Sequence, residues 1–420
     1  MHISGLQYVQ CFNIFSMKFK ALIFIIIGIV IFGLKQDGAK TINELKVAVM
    51  QESNSEIVLF LCGDVMTGRG IDQALPFPCK HDIYEPYVKD ARDYITIAER
   101  QNGEINYPVG FKYIWGDALE VFEQFNPDLK IINLETSITT NDSYWPGKGI
   151  QYRMNPKNTG CLSVLGNLYC ALSNNHILDW NEKGLIETIS TLNKAGIHNS
   201  GAGINAAGAI EPSIIELKKK GRVIVLSYGM PTSGIPANWS AGEDSPGVNI
   251  LEDYSNRSVQ KIRAVTEPLK QPGDIVVLSL HWGSNWGYEI HADEMEFVHK
   301  LIDKAHIDIF HGHSSHHFKA IEVYNNKLIL YGCGDFINDY EGIGGKESYR
   351  SDIALMYFAR IVPNTGNLAK LEIVPMQIRN FRLNKVRNTD LLWVKYRLES
   401  ECERFCISTD INKERLELKW

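Results

Sequence analysis

The chain has no CxxC cysteine pairs, no internal repeat, no low-complexity tract and no surplus of positive charge. Each absence removes a class. Without CxxC spacing there is no cysteine-based zinc site. Without a fixed period there is no repeat array. The 43 Lys and Arg are outnumbered by 49 Asp and Glu, giving a formal net charge of −6. That excludes a nucleic-acid binder working by bulk electrostatics, although not a local cationic site. What remains is 420 residues, 45% apolar and 22% charged, enough for a large core in one domain or two.

Nor does any apolar run reach the roughly 20 residues of a spanning helix. The longest is Ala21 to Leu34, with Lys18 and Lys20 before it and Lys35 after it. Basic residues ahead of a short apolar core read as an export signal. Flanking lysines and Met17–Phe19 extend the run, and Met17 is a plausible true start. The small-x-small cleavage pattern is poor, since Asp37 stands two positions before Ala39. Residues 1–40 are therefore expected to form a signal or single-pass membrane anchor and the start of a linker, with an extracytoplasmic domain behind it. Cleavage of the signal would make the protein secreted. Export permits disulfides. Cys62 and Cys333 lie in apolar runs and read as small buried hydrophobes. Pairing of Cys161 with Cys170, or Cys402 with Cys406, stays open.

From Glu56 onward, short apolar runs rich in β-branched residues alternate with helical stripes. The runs are 56–61, 129–134, 168–172, 222–227, 274–280, 307–310 and 327–331. Leu185, Ile189, Leu192 and Ala195 make one stripe. Phe297, Leu301, Ile302 and Ala305 make another, with Asp293 as its expected N-cap. Such alternation indicates an α/β fold with strands covered on both faces. Residues 354–361 and 368–378 read as a late antiparallel hairpin, and residues 390–406 as a closing helix. Residues 76–124, rich in aromatics and charges, read as an excursion over the site.

Open α/β sheets bind ligands beyond the carboxyl ends of their strands. The groups at those ends are Asp64, Glu135, Asn175, His176, His281, His313 and His316. Carboxylates, an amide and imidazoles together suit Mn, Fe or Zn. Two such ions roughly 3.5–4 Å apart would clamp the attacking and leaving oxygens of a phosphoryl transfer. Each residue alone has a plain structural role as turn former, cap or core histidine, so the coincidence carries the reading. His311 and His317, in the same histidine run, are expected to be supporting. Lys148 and Arg153 are candidate binders of an anionic substrate, against the plainer role of solvated surface charge.

Gly63-Asp64-Val65-Met66, Asn133-Leu134-Glu135, Asn174-Asn175-His176, His281-Trp282-Gly283 and Gly312-His313-Ser314-Ser315-His316 resemble the bacterial capsule-synthesis CapA (PgsA) family, associated with poly-γ-glutamate. Tyr113 to Leu119 and Gly334-Asp335-Phe336 extend the resemblance, which covers roughly residues 56–340. That family is similar to calcineurin-like metallophosphoesterases. The likeness implies a four-layer α/β/β/α sandwich, metallo-dependent phosphatase-like, over residues 55–380. A C-terminal helical extension, 381–420, would pack on it.

By the same likeness Asp64, Glu135, Asn175, His281, His313 and His316 imply ligands for one or two divalent ions. His176 resembles the histidine that protonates a leaving oxygen, a role suited to an imidazole near its ordinary pKa. Met66 stands where the phosphoesterases place a histidine ligand, and Glu135 where a bridging aspartate is usual. The family usually has Pro at the position of Ser315. The expected function is a metal-dependent hydrolase or transferase acting on phosphorylated or γ-glutamyl polymer chemistry. The alternative is a non-catalytic, membrane-anchored assembly factor that binds the anionic capsule polymer, its precursor or a membrane synthase complex.

Overall fold

Along the strand Ile57–Val65, Leu59 and Leu61 point into one apolar cluster, while Phe60 and Cys62 point into another. This period of two, with no polar side, marks a strand buried on both faces. The computed structural model describes residues 56–420, which form one unit. The expected anchor at 1–40, the rest of the linker and Cys11 lie outside the described residues. No helix among the described residues is long and apolar enough to cross a membrane.

Two large sheets, of ten and six strands, form the two inner layers. In the first, Ile57–Val65, Leu129–Leu134, Leu168–Ala171 and His198–Ser200 run parallel in that order. The hairpin Ile353–Val362 and Asn367–Arg379 continues the sheet antiparallel on the other side. In the second sheet, Gly221–Gly229, Ile275–His281, Ile309–His313 and Lys327–Leu330 are parallel neighbours. Leu59, Leu61, Leu129 and Ile131 share the apolar cluster that holds Val223, Val225 and Val277.

Helices supply the outer layers. Asp93–Asn102, Ala118–Phe125 and Asn181–Lys194 bury Tyr94, Phe122 and Leu185 in the cluster that holds Phe60 and Cys62. Asn256–Thr266 and Ala292–Ala305 bury Ile262, Phe297 and Leu301 with the second-sheet residues. The fold is thus the expected α/β sandwich.

Two local readings differ from the sequence expectation, and one that the sequence left open is decided. The N-cap of Ala292–Ala305 is His291, whose N–H donates to the Glu294 carboxylate at 2.8 Å, so Asp293 falls inside the first turn. Residues 381–420 hold the helix Asn388–Cys402 but are not helical alone. Arg382–Lys385 and Arg415–Lys419 both pair with Asn367–Arg379. In the latter strand Leu416 and Leu418 are buried while flanking polar residues stay out, which is the pattern of a half-buried strand. Finally, all seven cysteines among the described residues are free.

Candidate metal centre

Parallel strands end together, so both sheets deliver their carboxyl ends to one edge of the sandwich. Asp64 lies near the end of its strand and pairs in register with Asn133. His281 and His313 close their strands as register partners. Asp64, Glu135, His281 and His313 are all buried. Asn174 ties the segment after Leu168–Ala171 to this edge, its amide donating to the Leu134 carbonyl at 2.8 Å.

Hydrogen bonds fix the tautomers around His313. The Cys62 carbonyl accepts from His311 Nε2 at 2.7 Å. His311 Nδ1 is therefore a lone pair, which takes the Ser279 hydroxyl proton at 3.1 Å. The Ser279 oxygen in turn accepts from His313 Nε2 at 2.8 Å. That leaves His313 Nδ1 as a bare lone pair. On His281, Nε2 donates to the Asn175 carbonyl oxygen at 3.1 Å, so its Nδ1 carries no proton either, and only the Asn133 amide approaches it from the side, at 3.5 Å. The two bare nitrogens face each other 2.8 Å apart, with Asp64 Oδ1 3.8 Å from His313 Nδ1. Facing lone pairs repel unless a cation lies between them. His311 acts as a support for this arrangement, the role its position in the run suggested.

His281 also divides the expected ligand set. Its Nδ1 edge meets Asp64 and His313. Its Nε2 edge meets Asn175 and Glu135, whose Oε1 is 3.9 Å away. On that second side His176 Nε2 stands 4.0 Å from Glu135 Oε1. His176 Nδ1 donates to Asp179 Oδ2 at 2.7 Å, and the Tyr152 ring stacks on the imidazole. Burial pushes the His176 pKa down to about 4 despite the Asp179 carboxylate. The ring is therefore neutral at physiological pH, with Nε2 free to accept a proton. This differs from the ordinary pKa expected from sequence, because the ring is walled in.

Lys148 and Arg153 meet different surroundings. Lys148 pairs with Asp179 and approaches His176 Nδ1 to 2.9 Å, so it sits at the edge of the site. Arg153 is committed elsewhere, donating to the Asn141 carbonyl and Asp142 and lying over the Trp180 ring. The structure does not bring it to the histidines.

A second convergence involves His316. Its Nδ1 lies 2.9 Å from Asp335 Oδ1, and Asn338 holds the other Asp335 oxygen at 3.0 Å. Asp64, His316 and Asp335 each offer a ligand atom within 4.8 Å of the others, as do Asp64, His281 and His313. Met66 takes part in neither group, since its sulfur accepts from the Gly68 N–H at 3.1 Å.

The electrostatics call for positive charge. Burial, then the Asp335 charge, raise the Asp64 pKa to about 7. Burial, then Asp64 and Asp335, push Glu135 well above its usual range. Burial holds His281 and His313 low, hence neutral. Burial opposes protonation of His316 too, but the Asp335 carboxylate outweighs it and raises that pKa. Asp64 Oδ2 and Glu135 Oε2 are buried without any hydrogen-bond partner. Buried carboxylate oxygens without partners, beside bare imidazole nitrogens, are a donor set that fits a divalent transition metal.

The family profile described as bacterial capsule synthesis protein PGA_cap matches residues 58–340. This chain belongs to that family. A probable polyglutamine synthesis accessory protein of Mycobacterium tuberculosis is 44% identical over 84% of this chain and 92% of its own length. The capsule biosynthesis protein CapA of Bacillus anthracis is 24% identical over 80% of this chain and 71% of its own. The PGA biosynthesis protein CapA of Bacillus subtilis is 25% identical over 59% of this chain and 60% of its own. The profile spans every strand end that carries the site.

Sequence reasoning gave no role to Asn133, Asp179 or Asp335. Asn133 and Asp335 stand inside the family-like motifs, which was a signal. Asp179, three residues past His176, offered only its spacing.

Proposed function

We propose that the protein is an accessory factor of capsular polyglutamate synthesis and that its site is a cation-dependent hydrolase or transferase centre. The observation that carries the second part is the pair of bare nitrogens on His281 and His313, 2.8 Å apart beside the buried Asp64 carboxylate. The names and coverage of the relatives support the first part.

In this reading Asp64, His281 and His313 hold a divalent ion, Mn, Fe or Zn. The ion supplies Lewis-acid polarisation of a phosphoryl or acyl oxygen. Asn175 keeps His281 turned to the ion by accepting at Nε2. His176 handles a proton at Nε2, taking it from a nucleophile or passing it to a leaving oxygen, and Asp179 fixes the ring. Glu135, beside both Nε2 atoms, holds the proton that its raised pKa retains or completes the ligand set. Lys148 places positive charge beside His176, where an anionic polymer or precursor would arrive. Arg153 braces the Trp180 region. The N-terminal segment anchors the protein at the outer face of the membrane, near a synthase complex, or is cleaved to release it.

The test is cation content together with cleavage of a phosphodiester and a γ-glutamyl amide by the purified full chain. Cleavage is expected to disappear in His281→Ala, together with the cation held by Asp64, His281 and His313. A cation-free protein that fully supports capsule formation would favour the second reading, a non-catalytic assembly factor. Met66 motivates that alternative, because its thioether replaces the expected ligand and is bonded to Gly68 instead.

A further inference from the structure

We infer that Asp335 is a cation ligand and that, with His316 and Asp64, it forms a second cation position that makes Met66 dispensable. The inference rests on the cation-dependent reading above and adds the number of ions and a ligand. Three observations carry it.

The first is the docking of two Gly-Asp pairs. Asp64 and Asp335 are register partners of parallel strands, the short strand Asp335–Ile337 lying beside Ile57–Val65. The Asp64 N–H donates to the Gly334 carbonyl at 3.0 Å. A Cβ on Gly63 would lie 1.7 Å from that carbonyl oxygen, so only glycine permits the approach. Two buried carboxylates are thus forced side by side by backbone, and like charges in such a place need a counter-charge.

The second is the aim of the groups. His316 Nδ1 lies against Asp335 Oδ1, and Asn338 steadies Asp335 from the other side. His316 is brought there by Ser314, whose φ of 104° is a strained backbone for a non-glycine residue and turns the chain sharply after His313. The third is the orphaned Asp64 Oδ2. Its sister Oδ1 accepts from Asn133 at 2.8 Å, whereas Oδ2 has no partner despite near-complete burial. Asp64 belongs to both ligand groups, so its carboxylate is the shared one. The metal that fits oxygen, oxygen and nitrogen donors is Mn, Fe or Zn.

The experiment is Mn loading of the full chain in detergent, read by cation stoichiometry and by electron paramagnetic resonance. The wild type is expected to bind two ions with the broadened signal of an exchange-coupled pair. Asp335→Asn is expected to bind one ion with an uncoupled signal, as is His281→Ala, which empties the other position. Met66→Ala keeps both ions. If Asp335→Asn does not fold, His316→Gln reads the same position. A wild type that binds one ion, or folded variants of Asp335 and His316 that keep two coupled ions, overturns the inference. Two coupled ions without any cleavage would leave it standing and remove the hydrolase reading. Cleavage with a single ion would do the reverse.

Discussion

His311 and His313 are joined through one hydroxyl: Ser279 Oγ donates to His311 Nδ1 and accepts from His313 Nε2, at 3.1 and 2.8 Å. Two imidazoles two residues apart on one strand are thereby both locked with the proton on Nε2, and the lock begins at the backbone carbonyl of Cys62.

Breaking that lock should weaken the centre without removing a ligand. Ser279→Ala lets His313 choose either tautomer. Its affinity for Mn or Zn is expected to fall about 10–100-fold, the usual effect of losing an outer-shell partner. Calorimetric titration measures it, and unchanged circular dichroism shows that the fold persists. Wild-type affinity in this variant would mean that the ring is fixed by packing alone.

The cation-free protein should lose stability as pH rises. Asp64 has an ordinary pKa of 3.8 and a folded value of about 7. Between those values the folded chain keeps a proton that the unfolded chain has released, so stability falls with increasing pH across the window. Asp64→Asn removes that slope. At pH 8 the chelator-treated variant is expected to melt a few degrees above the chelator-treated wild type, and to gain nothing from added Mn. Scanning fluorimetry at pH 5 and pH 8, with and without the ion, decides the matter.

Asp179 should matter to rate and not to cation content. Asp179→Asn leaves Asp64, His281 and His313 untouched but loosens the tautomer of His176. Under the hydrolase reading, kcat falls about 100-fold or more, and the pH profile shifts while stoichiometry stays at the wild-type value. Loss of bound ion in this variant would assign Asp179 a structural role instead.

The glycine at 63 gives a steric test. Gly63→Ala drives a methyl into the Gly334 carbonyl, a backbone atom that cannot swing aside. Overpacking of this kind costs about 1–3 kcal/mol, visible as a lower urea midpoint. It also spreads Asp64 from Asp335. Gly110→Ala, where the added Cβ meets nothing within 4 Å, is the control and should be neutral in cation binding.

Much of this centre is legible before folding, and the reason is directional. Parallel strands place the residue after each apolar run at one edge, so Asp64, Glu135, His281 and His313 can be read off as a set. What local pattern does not carry is the crossing from one sheet to the other. Lys327–Leu330 belongs to the second sheet, yet Asp335–Ile337 pairs with the first. Only that crossing puts Asp335 beside Asp64. The edge a ring presents is equally silent in sequence, since it depends on Ser279 and Asn175 from other strands. The same applies to the closing strands of the chain, where Leu416 and Leu418 do alternate but need Asn367–Arg379 as a partner.

The strand Ile57–Val65 has a further consequence through its two ends. Its first residues meet the preceding chain at Glu56, whose carbonyl accepts from Lys220 at 3.1 Å. Its last residues carry Asp64. Eight residues of extended chain separate them by roughly 26 Å at about 3.3 Å each. Glu56 therefore marks the base of the sandwich and Asp64 the rim that carries the candidate centre, at opposite ends of one strand. The length of that strand sets the depth of scaffold beneath the centre, so a residue inserted or deleted within it would shift Asp64 out of line with Asn133 and Asp335.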